Sequence, residues 1–256
     1  MAFYLEVKLA LFSDLHANLH AFNACLAHAR EQGASAIAVL GDLVGYGANP
    51  VEVVDQCIAL QDQGAIVIRG NHESLALRPI TAGKTMGGLT AQWTHDTLSV
   101  AQRQWLSSLK LEAKVGPAWL VHATAQEPAS WQYVTDTKKA AFSLRGVNHD
   151  RSIRWLFCGH VHEQALYVEI GRDKLIHYRP LVGESIPAIA GRRHLAVVGS
   201  VGQPRDGDPR ACYLIFDLSE ETICFHRVAY DYFAAAKAIR DAGLPEWLAT
   251  RLELGQ

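Results

Sequence analysis

Aspartate, asparagine and histidine recur in this sequence where they could hold metal ions. Asp14-Leu15-His16, Gly41-Asp42, Gly70-Asn71-His72, His122 and Gly159-His160-Val161-His162 each follow a short apolar run. In an extended segment, residues i and i+2 point to the same side, so Asp14 and His16 can face one cavity, as can His160 and His162. Glycines 41, 70 and 159 immediately precede these groups, and without a Cβ they allow sharp turns and close backbone approach. The set offers two carboxylates, one amide and several imidazoles, with no thiolate. That chemistry suits Mn, Fe or Zn ions better than calcium, which prefers oxygen ligands throughout. Each motif alone is ordinary, because an Asp or His after a strand is commonly a cap or turn residue. The signal lies in five strand ends carrying such residues together.

The elements that must position these residues are legible from periodicity. Val7 to Phe12, Ala36 to Leu40 and Ala65 to Ile68 read as buried strands. Between them, Leu19, Phe22 and Leu26 recur at helical spacing up to Gly33. Asn49 is placed to cap a second helix that opens at Pro50, with Val51, Val54 and Ile58 on its apolar face. This β-α-β-α-β order implies a parallel sheet with helices on its faces. Ligands in such sheets bind at the carboxyl ends of the strands, where the Asp and His residues stand. Trp119 to Val121 and Trp155 to Cys158 continue the pattern. Leu166 to Ile170, Leu175 to Tyr178, His194 to Val198, Cys212 to Asp217 and Thr222 to Val228 are strands joined by turns such as Gly171-Arg172-Asp173, which predicts antiparallel pairing. Two amphipathic helices close the chain, with Phe233 and Ile239 in one and Trp247, Leu248 and Leu252 in the other, which Pro245 opens. The expected fold is α/β: two sheets face to face with helices outside.

Composition excludes several classes. The chain has 256 residues, 49% of them hydrophobic and 20% charged, and a formal charge of −2. It reads as one domain over residues 1–256. The charge balance gives no support to a nucleic-acid or anionic-membrane binder. No apolar run is long enough to span a bilayer, and Glu6 and Lys8 interrupt the N-terminal apolar stretch, so no signal peptide is expected. Cys25, Cys57, Cys158, Cys212 and Cys224 are widely spaced, without a C-x-x-C. That pattern argues against a disulfide framework and predicts a reducing, cytoplasmic setting.

The ordered series D-x-H, G-D, G-N-H, H and G-H-x-H resembles that of the calcineurin-like metallophosphoesterases, from Asp14 to His162. Gly41-Asp42-Leu43-Val44-Gly45-Tyr46-Gly47 and the stretch from Val198 to Asp206 resemble the small bacterial and archaeal branch. The resemblance implies a four-layer α/β/β/α sandwich of two mixed sheets flanked by helices. It implies that Asp14, His16 and His162 hold one metal, that Asn71, His122 and His160 hold the other, and that Asp42 bridges them. The implied catalytic residue is His72, acting beside the leaving group rather than as a ligand. Two divalent ions against two carboxylates and a bridging hydroxide leave a net charge of about +1, which attracts a phosphate. Metals roughly 3.5–4 Å apart can share that hydroxide, which attacks phosphorus in line while His72 protonates the departing oxygen. The structural alternative for His72 is a supporting histidine partnered by Glu73 or Asp96.

The sequence departs from relatives that read G-D-x-V-D-R-G after the second strand, whose arginine grips phosphate. Gly45 and Tyr46 stand there instead. That counts against phosphoprotein phosphatase and dinucleoside tetraphosphate hydrolase activity, and it inclines the reading toward a phosphodiester, including nucleotide-type esters. The fourth motif is His122-Ala123-Thr124 where the family usually has H-G. Asn18 and Arg205 are candidate substrate contacts, although a helix-start hydrogen bond for Asn18 and a plain turn for Arg205 are equally open. Trp93, Trp105, Trp131, Tyr133, Arg145, His149 and Arg151 lie in the long segments between ligands and could line the mouth, with core packing the stronger expectation for Trp93 and Trp105. The alternatives are a phosphomonoesterase acting on a small phosphorylated metabolite, a non-catalytic binding scaffold of the same fold, and a structural metal site. The expected partner is a small phosphate ester, with no membrane and no nucleic acid. The sequence leaves the oligomeric state open.

Overall fold

A computed structural model describes residues 7–79, 86–171 and 174–256. One sheet has the order β3-β2-β1-β11-β12-β9 and the other the order β4-β5-β6-β10-β7-β8. In the first, β1 (Lys8–Phe12), β2 (Ala36–Val39) and β3 (Ile66–Val67) run parallel, linked by α1 (Leu19–Glu31) and α2 (Pro50–Asp62). The remaining strands of that sheet, β11 (Ala211–Asp217), β12 (Thr222–Val228) and β9 (Ser185–Pro187), join antiparallel. In the second sheet β5 (Ala118–Val121), β6 (Trp155–Cys158) and β10 (His194–Val198) are parallel. They are flanked antiparallel by β4 (Glu112–Val115), β7 (Gln164–Gly171) and β8 (Lys174–Tyr178). The expected α/β/β/α architecture of two mixed sheets is therefore what forms.

Alternation along the strands builds the layers. Leu9 and Leu11 face the space between the sheets, where they meet Leu120, Trp155, Phe157, Phe216 and Phe225. Ala10 and Phe12 point the other way, against Phe22 and Cys25 of α1 and Val54 and Cys57 of α2. The outer face of the second sheet is covered by α6 (Thr137–Arg145), whose Ala140 and Leu144 lie on Leu156 and Tyr167. Three more helices, α3 (Asn71–Leu77), α4 (Met86–Thr97) and α5 (Val100–Ser108), follow β3. The last two, α7 (Tyr232–Asp241) and α8 (Glu246–Leu254), close a fourth cluster that includes Tyr46. Among the described residues, no helix is long and apolar enough to cross a membrane.

Several local expectations need correcting. Asn49 precedes α2, but its side chain makes no cap bond; its amide instead donates to Glu52 Oε1 at 3.4 Å. The buried face of α2 is Val53, Val54, Cys57 and Leu60, with Val51 and Ile58 only partly covered. Phe233 is 64% exposed, so the inner face of α7 is Ala235, Ala236 and Ile239. The expected turn residues Arg172 and Asp173 lie outside the described residues. Strands β4 and β9 were not expected. Glu112 to Val115 carries charges in alternation, and Ser185 to Pro187 contains a proline, tolerated because β9 is an edge strand.

Candidate metal centre

The loops that leave β1, β2, β3, β5 and β6 meet at one end of the sandwich, and backbone bonds lock them together. His16 N donates to Asp42 O at 2.9 Å, Ala17 N to Leu43 O at 2.8 Å and Gly159 N to His122 O at 2.9 Å. The buried carboxylate of Glu73 fastens the second and third loops, accepting from the backbone N–H groups of Asp42 (2.9 Å), Leu43 (2.7 Å), Val44 (3.3 Å) and Gly70 (2.7 Å). Burial, then the neighbouring Asp42 charge, raises the Glu73 pKa to about 7, while the N–H donors pull against that rise. Two glycines permit the crowding: a Cβ at Gly159 would collide with Ser13 and Asp14, and one at Gly70 with Asp42. Backbone strain marks the same place. Asp14 (φ 54°), His16 (φ 46°), Asp42 (φ 52°), His160 (φ 67°) and His162 (φ 68°) all sit in the left-handed region. Non-glycine residues in that region cost of order 1 kcal/mol or more each, and they persist where the surroundings over-determine them.

Asp14, His16, Asp42, Asn71, His122, His160 and His162 are brought together by these loops. Each aspartate gives one oxygen to a backbone amide and turns the other inward. Asp14 Oδ2 accepts from His160 N at 2.9 Å, and Asp42 Oδ1 accepts from His72 N at 2.8 Å. The inward Asp14 Oδ1 is 3.3 Å from His162 Nε2 and 3.8 Å from His16 Nε2. The inward Asp42 Oδ2 is 3.2 Å from His122 Nε2 and 3.8 Å from His16 Nε2, so it touches both ends of the cluster.

The imidazoles are held from behind. His16 Nδ1 faces Val44 O (3.2 Å), His122 Nδ1 faces Leu40 O (2.8 Å), His162 Nδ1 faces Gln203 O (2.6 Å) and His160 Nε2 faces Trp131 O (3.0 Å). A carbonyl can only accept, so each outer nitrogen carries a proton, and the inner nitrogen presents a lone pair whenever its ring is neutral. Such outer contacts orient metal-binding histidines in general. The inner nitrogens then crowd one another: His16 Nε2 is 3.1 Å from His162 Nε2, and His122 Nε2 is 3.1 Å from His160 Nδ1 and 3.2 Å from Asn71 Oδ1. Inner nitrogens facing each other at that range need a positive charge between them, a proton on one ring or a metal ion. Asp14 Oδ1 adds to the demand, being buried without a hydrogen-bond partner. Burial opposes the charged form of both aspartates, yet the surrounding histidines outweigh it and hold both carboxyls below their usual range. Burial would lower His122, but Asp42 and Asp14 lift it to about 9. Burial and neighbouring imidazoles depress His16, and they bring His160 to about 4. The cluster therefore calls for positive charge, and its buried Asp/His donors can supply a metal ion with ligands.

His72 stands at the edge of this group. One of its ring nitrogens lies within 4.8 Å of donor atoms of His16 and Asp42. Its ring meets Tyr46 edge-on at 4.5 Å and His16 at 4.8 Å. Neither expected carboxylate partners the ring, because Glu73 is committed to backbone donors and Asp96 accepts from Gln92 at 2.9 Å. Asn18 caps α1 and is otherwise occupied: its Oδ1 accepts from Ala21 N (3.1 Å), and its amide donates to Gly202 O (2.9 Å) and Tyr230 OH (3.1 Å). Arg205 reaches the site from the loop after β10, its guanidinium 5.7 Å from the Tyr46 ring centre. Of the mouth candidates, Tyr133 stacks on His160 at 4.0 Å and Trp131 lies 5.9 Å from His122. Trp93 and Trp105 are partly buried against the hydrophobic clusters, His149 packs on Trp119 and Arg145 on Phe142. Sequence reasoning missed what Glu73 and Gln203 do. Glu73 sits two residues after Asn71, a visible cue, whereas the carbonyl of Gln203 left no side-chain signal.

Two mixed sheets whose strand ends gather a buried Asp/His cluster able to hold metal define the architecture, and the comparisons give it a family. The model of the calcineurin-like phosphoesterase superfamily domain matches residues 7–221. The chain belongs to that superfamily. A protein of Methanocaldococcus jannaschii that is named only as uncharacterised is 32% identical over 255 residues, covering 97% of this chain and 98% of its own. The crystal structure of a metallophosphoesterase from Sphaerobacter thermophilus is 32% identical, with a TM-score of 0.84 over 98% of this chain and 100% of that one. A hypothetical protein of Pyrococcus horikoshii shares the fold at 19% identity, with a TM-score of 0.78 over 98% of this chain and 99% of its own. These neighbours are small bacterial and archaeal proteins of the branch the motifs resemble.

Proposed function

We propose that this phosphoester hydrolase works with two divalent transition-metal ions, Mn, Fe or Zn, and cleaves a small phosphodiester, including nucleotide-type esters. The observation that carries the reading is the inward-facing set of Asp14 Oδ1, Asp42 Oδ2 and one nitrogen from each of four imidazoles, with Asp14 Oδ1 buried without a hydrogen-bond partner. Asp14, His16 and His162 would hold one ion, Asn71, His122 and His160 the other, and Asp42 both. Such ions, when bound, supply Lewis acidity and an activated water at neutral pH.

The chain's own groups provide the rest. Outer carbonyls fix the ring orientations, so little reorganisation is needed as charge develops. His72, buried between Tyr46 and His16, would donate a hydrogen bond or proton to the leaving oxygen. Tyr46 and Tyr133 lie against His72 and His160, and Arg205 would supply a positive group for the substrate. That last observation also favours a second reading, a phosphomonoesterase. The diester preference rested on Tyr46 standing where relatives carry arginine, and Arg205 brings a guanidinium to that ring from elsewhere.

Turnover of chromogenic mono- and diesters by protein loaded with Mn²⁺ tests both. Diester turnover exceeding monoester turnover is expected, the reverse would install the second reading, and no turnover of either would overturn both.

A further inference from the structure

Two arginines beside the metal cluster converge on one amide oxygen. Arg205 Nη2 donates to Gln203 Oε1 at 3.0 Å, and Arg251 Nη1 donates to the same oxygen at 3.5 Å. Two guanidinium charges this close repel, and a single neutral amide only weakly offsets that repulsion. The nearby carboxylates are committed elsewhere: Asp206 pairs with Arg227 and Asp208 with Arg210. Among the described residues neither Arg205 nor Arg251 makes an ion pair. Arg205 Nε is buried with no hydrogen-bond partner. Burial and the Arg205 charge hold Arg251 below the usual arginine range, the mark of a cation lacking its counter-charge.

The pair adjoins one half of the cluster. Gln203, whose side chain joins the two arginines, also supplies the carbonyl that orients His162 at 2.6 Å. Arg205 lies over Tyr46, whose ring is 4.6 Å from His16. Arg251 comes from α8, outside residues 7–221 matched by the family model, and is anchored over the Trp247 ring at 5.6 Å. Guanidinium forks match phosphate oxygens bidentately.

We propose that Arg205 and Arg251 form an anion subsite that takes a second phosphate group of the substrate, beside the one that is cleaved. The assignment rests on the phosphoesterase reading and narrows its substrate to an ester bearing two phosphates. Arg251 is then a specificity residue contributed by the C-terminal helix.

The test is calorimetric binding of propanediol bisphosphate and of propyl phosphate to the Mn²⁺-loaded protein. The bisphosphate should bind about tenfold tighter or more. Arg251→Gln should remove most of that advantage, and Arg251→Lys should keep part of it because charge remains while the fork is lost. Circular dichroism verifies that each variant is folded. Equal affinities in the unaltered protein, or an advantage intact in Arg251→Gln, would overturn the subsite. Turnover is scored separately on the chromogenic esters. Turnover without a bisphosphate preference overturns the subsite alone, whereas the preference without any turnover overturns the hydrolase reading and leaves the subsite standing.

Discussion

At one half of the cluster His16 and His162 lie with rings stacked 4.8 Å apart, beneath Tyr46 and the C-terminal helices. At the other half His122 and His160 meet edge-on at 4.9 Å, under Trp131 and Tyr133. Both halves follow the same plan: an outer carbonyl fixes each ring, and an aspartate turns one oxygen inward. They differ in what closes them. The His16 half is sealed by the fold itself and carries the unpartnered Asp14 oxygen, whereas the His160 half ends at Tyr133, which is 49% exposed. The lesson is a difference in enclosure, with the His16 half covered by Tyr46 and the C-terminal helices and the His160 half nearer to solvent at Tyr133.

Removing what the halves share should have the largest effect. Asp42→Ala deletes the oxygen that touches both, so activity should fall on the order of a thousandfold or more, with loss of both metals by elemental analysis. Metal retained at two per chain would break the comparison. Removing one ligand from each half should sharpen it. His162→Ala should lose one metal and nearly all activity, while His160→Ala should bind metal more weakly but recover turnover at high Mn²⁺. Equal behaviour of the two variants would remove the distinction. His72→Ala should lower turnover about a hundredfold or more while metal content stays. If it empties the site instead, His72 is a ligand of the His16 half, a role its proximity to His16 and Asp42 makes concrete.

Smaller effects concern the frame. Glu73→Gln replaces an acceptor of four backbone N–H groups by a side chain whose own N–H₂ must face some of them. Leaving buried donors unpaired should cost about 2–3 kcal/mol, seen as a lower thermal midpoint. Away from the cluster, burial and the neighbouring His28 lower His226 from 6.5 to about 4. The unfolded chain therefore takes up that proton first on acidification, so its contribution to stability is complete above about pH 6.5 and is lost as pH falls toward 4. Denaturant midpoints of His226→Phe should lose that part of the pH slope, and an unchanged slope would assign it to other groups.

How much of this was legible beforehand follows from what each residue does. Strands β1, β6 and β10 bury nearly every side chain, so continuous apolar runs disclosed them, and ligands stood at the ends of β1 and β6 as side chains of telling type. The ordered series of those ligands carried the family. Residues that work through their main chain, such as Leu40, Val44, Trp131 and Gln203, were invisible because a carbonyl has no residue type. Phe233 was misplaced because helical periodicity marks an apolar stripe without saying whether anything covers it. Arg205 was noticed as a charge in a turn, but its meeting with Arg251 joins positions far apart in the chain, which spacing cannot reveal. Asn49 shows the converse: a residue of ideal type at a helix start whose side chain bonds the Glu52 carboxylate instead of a backbone N–H.

Anomalous diffraction from crystals of the Mn²⁺-loaded protein tests the central claim most directly. The account predicts two peaks, one bounded by Asp14, His16 and His162, the other by Asn71, His122 and His160, with Asp42 in contact with both. A single peak, or two that do not share Asp42, would contradict it.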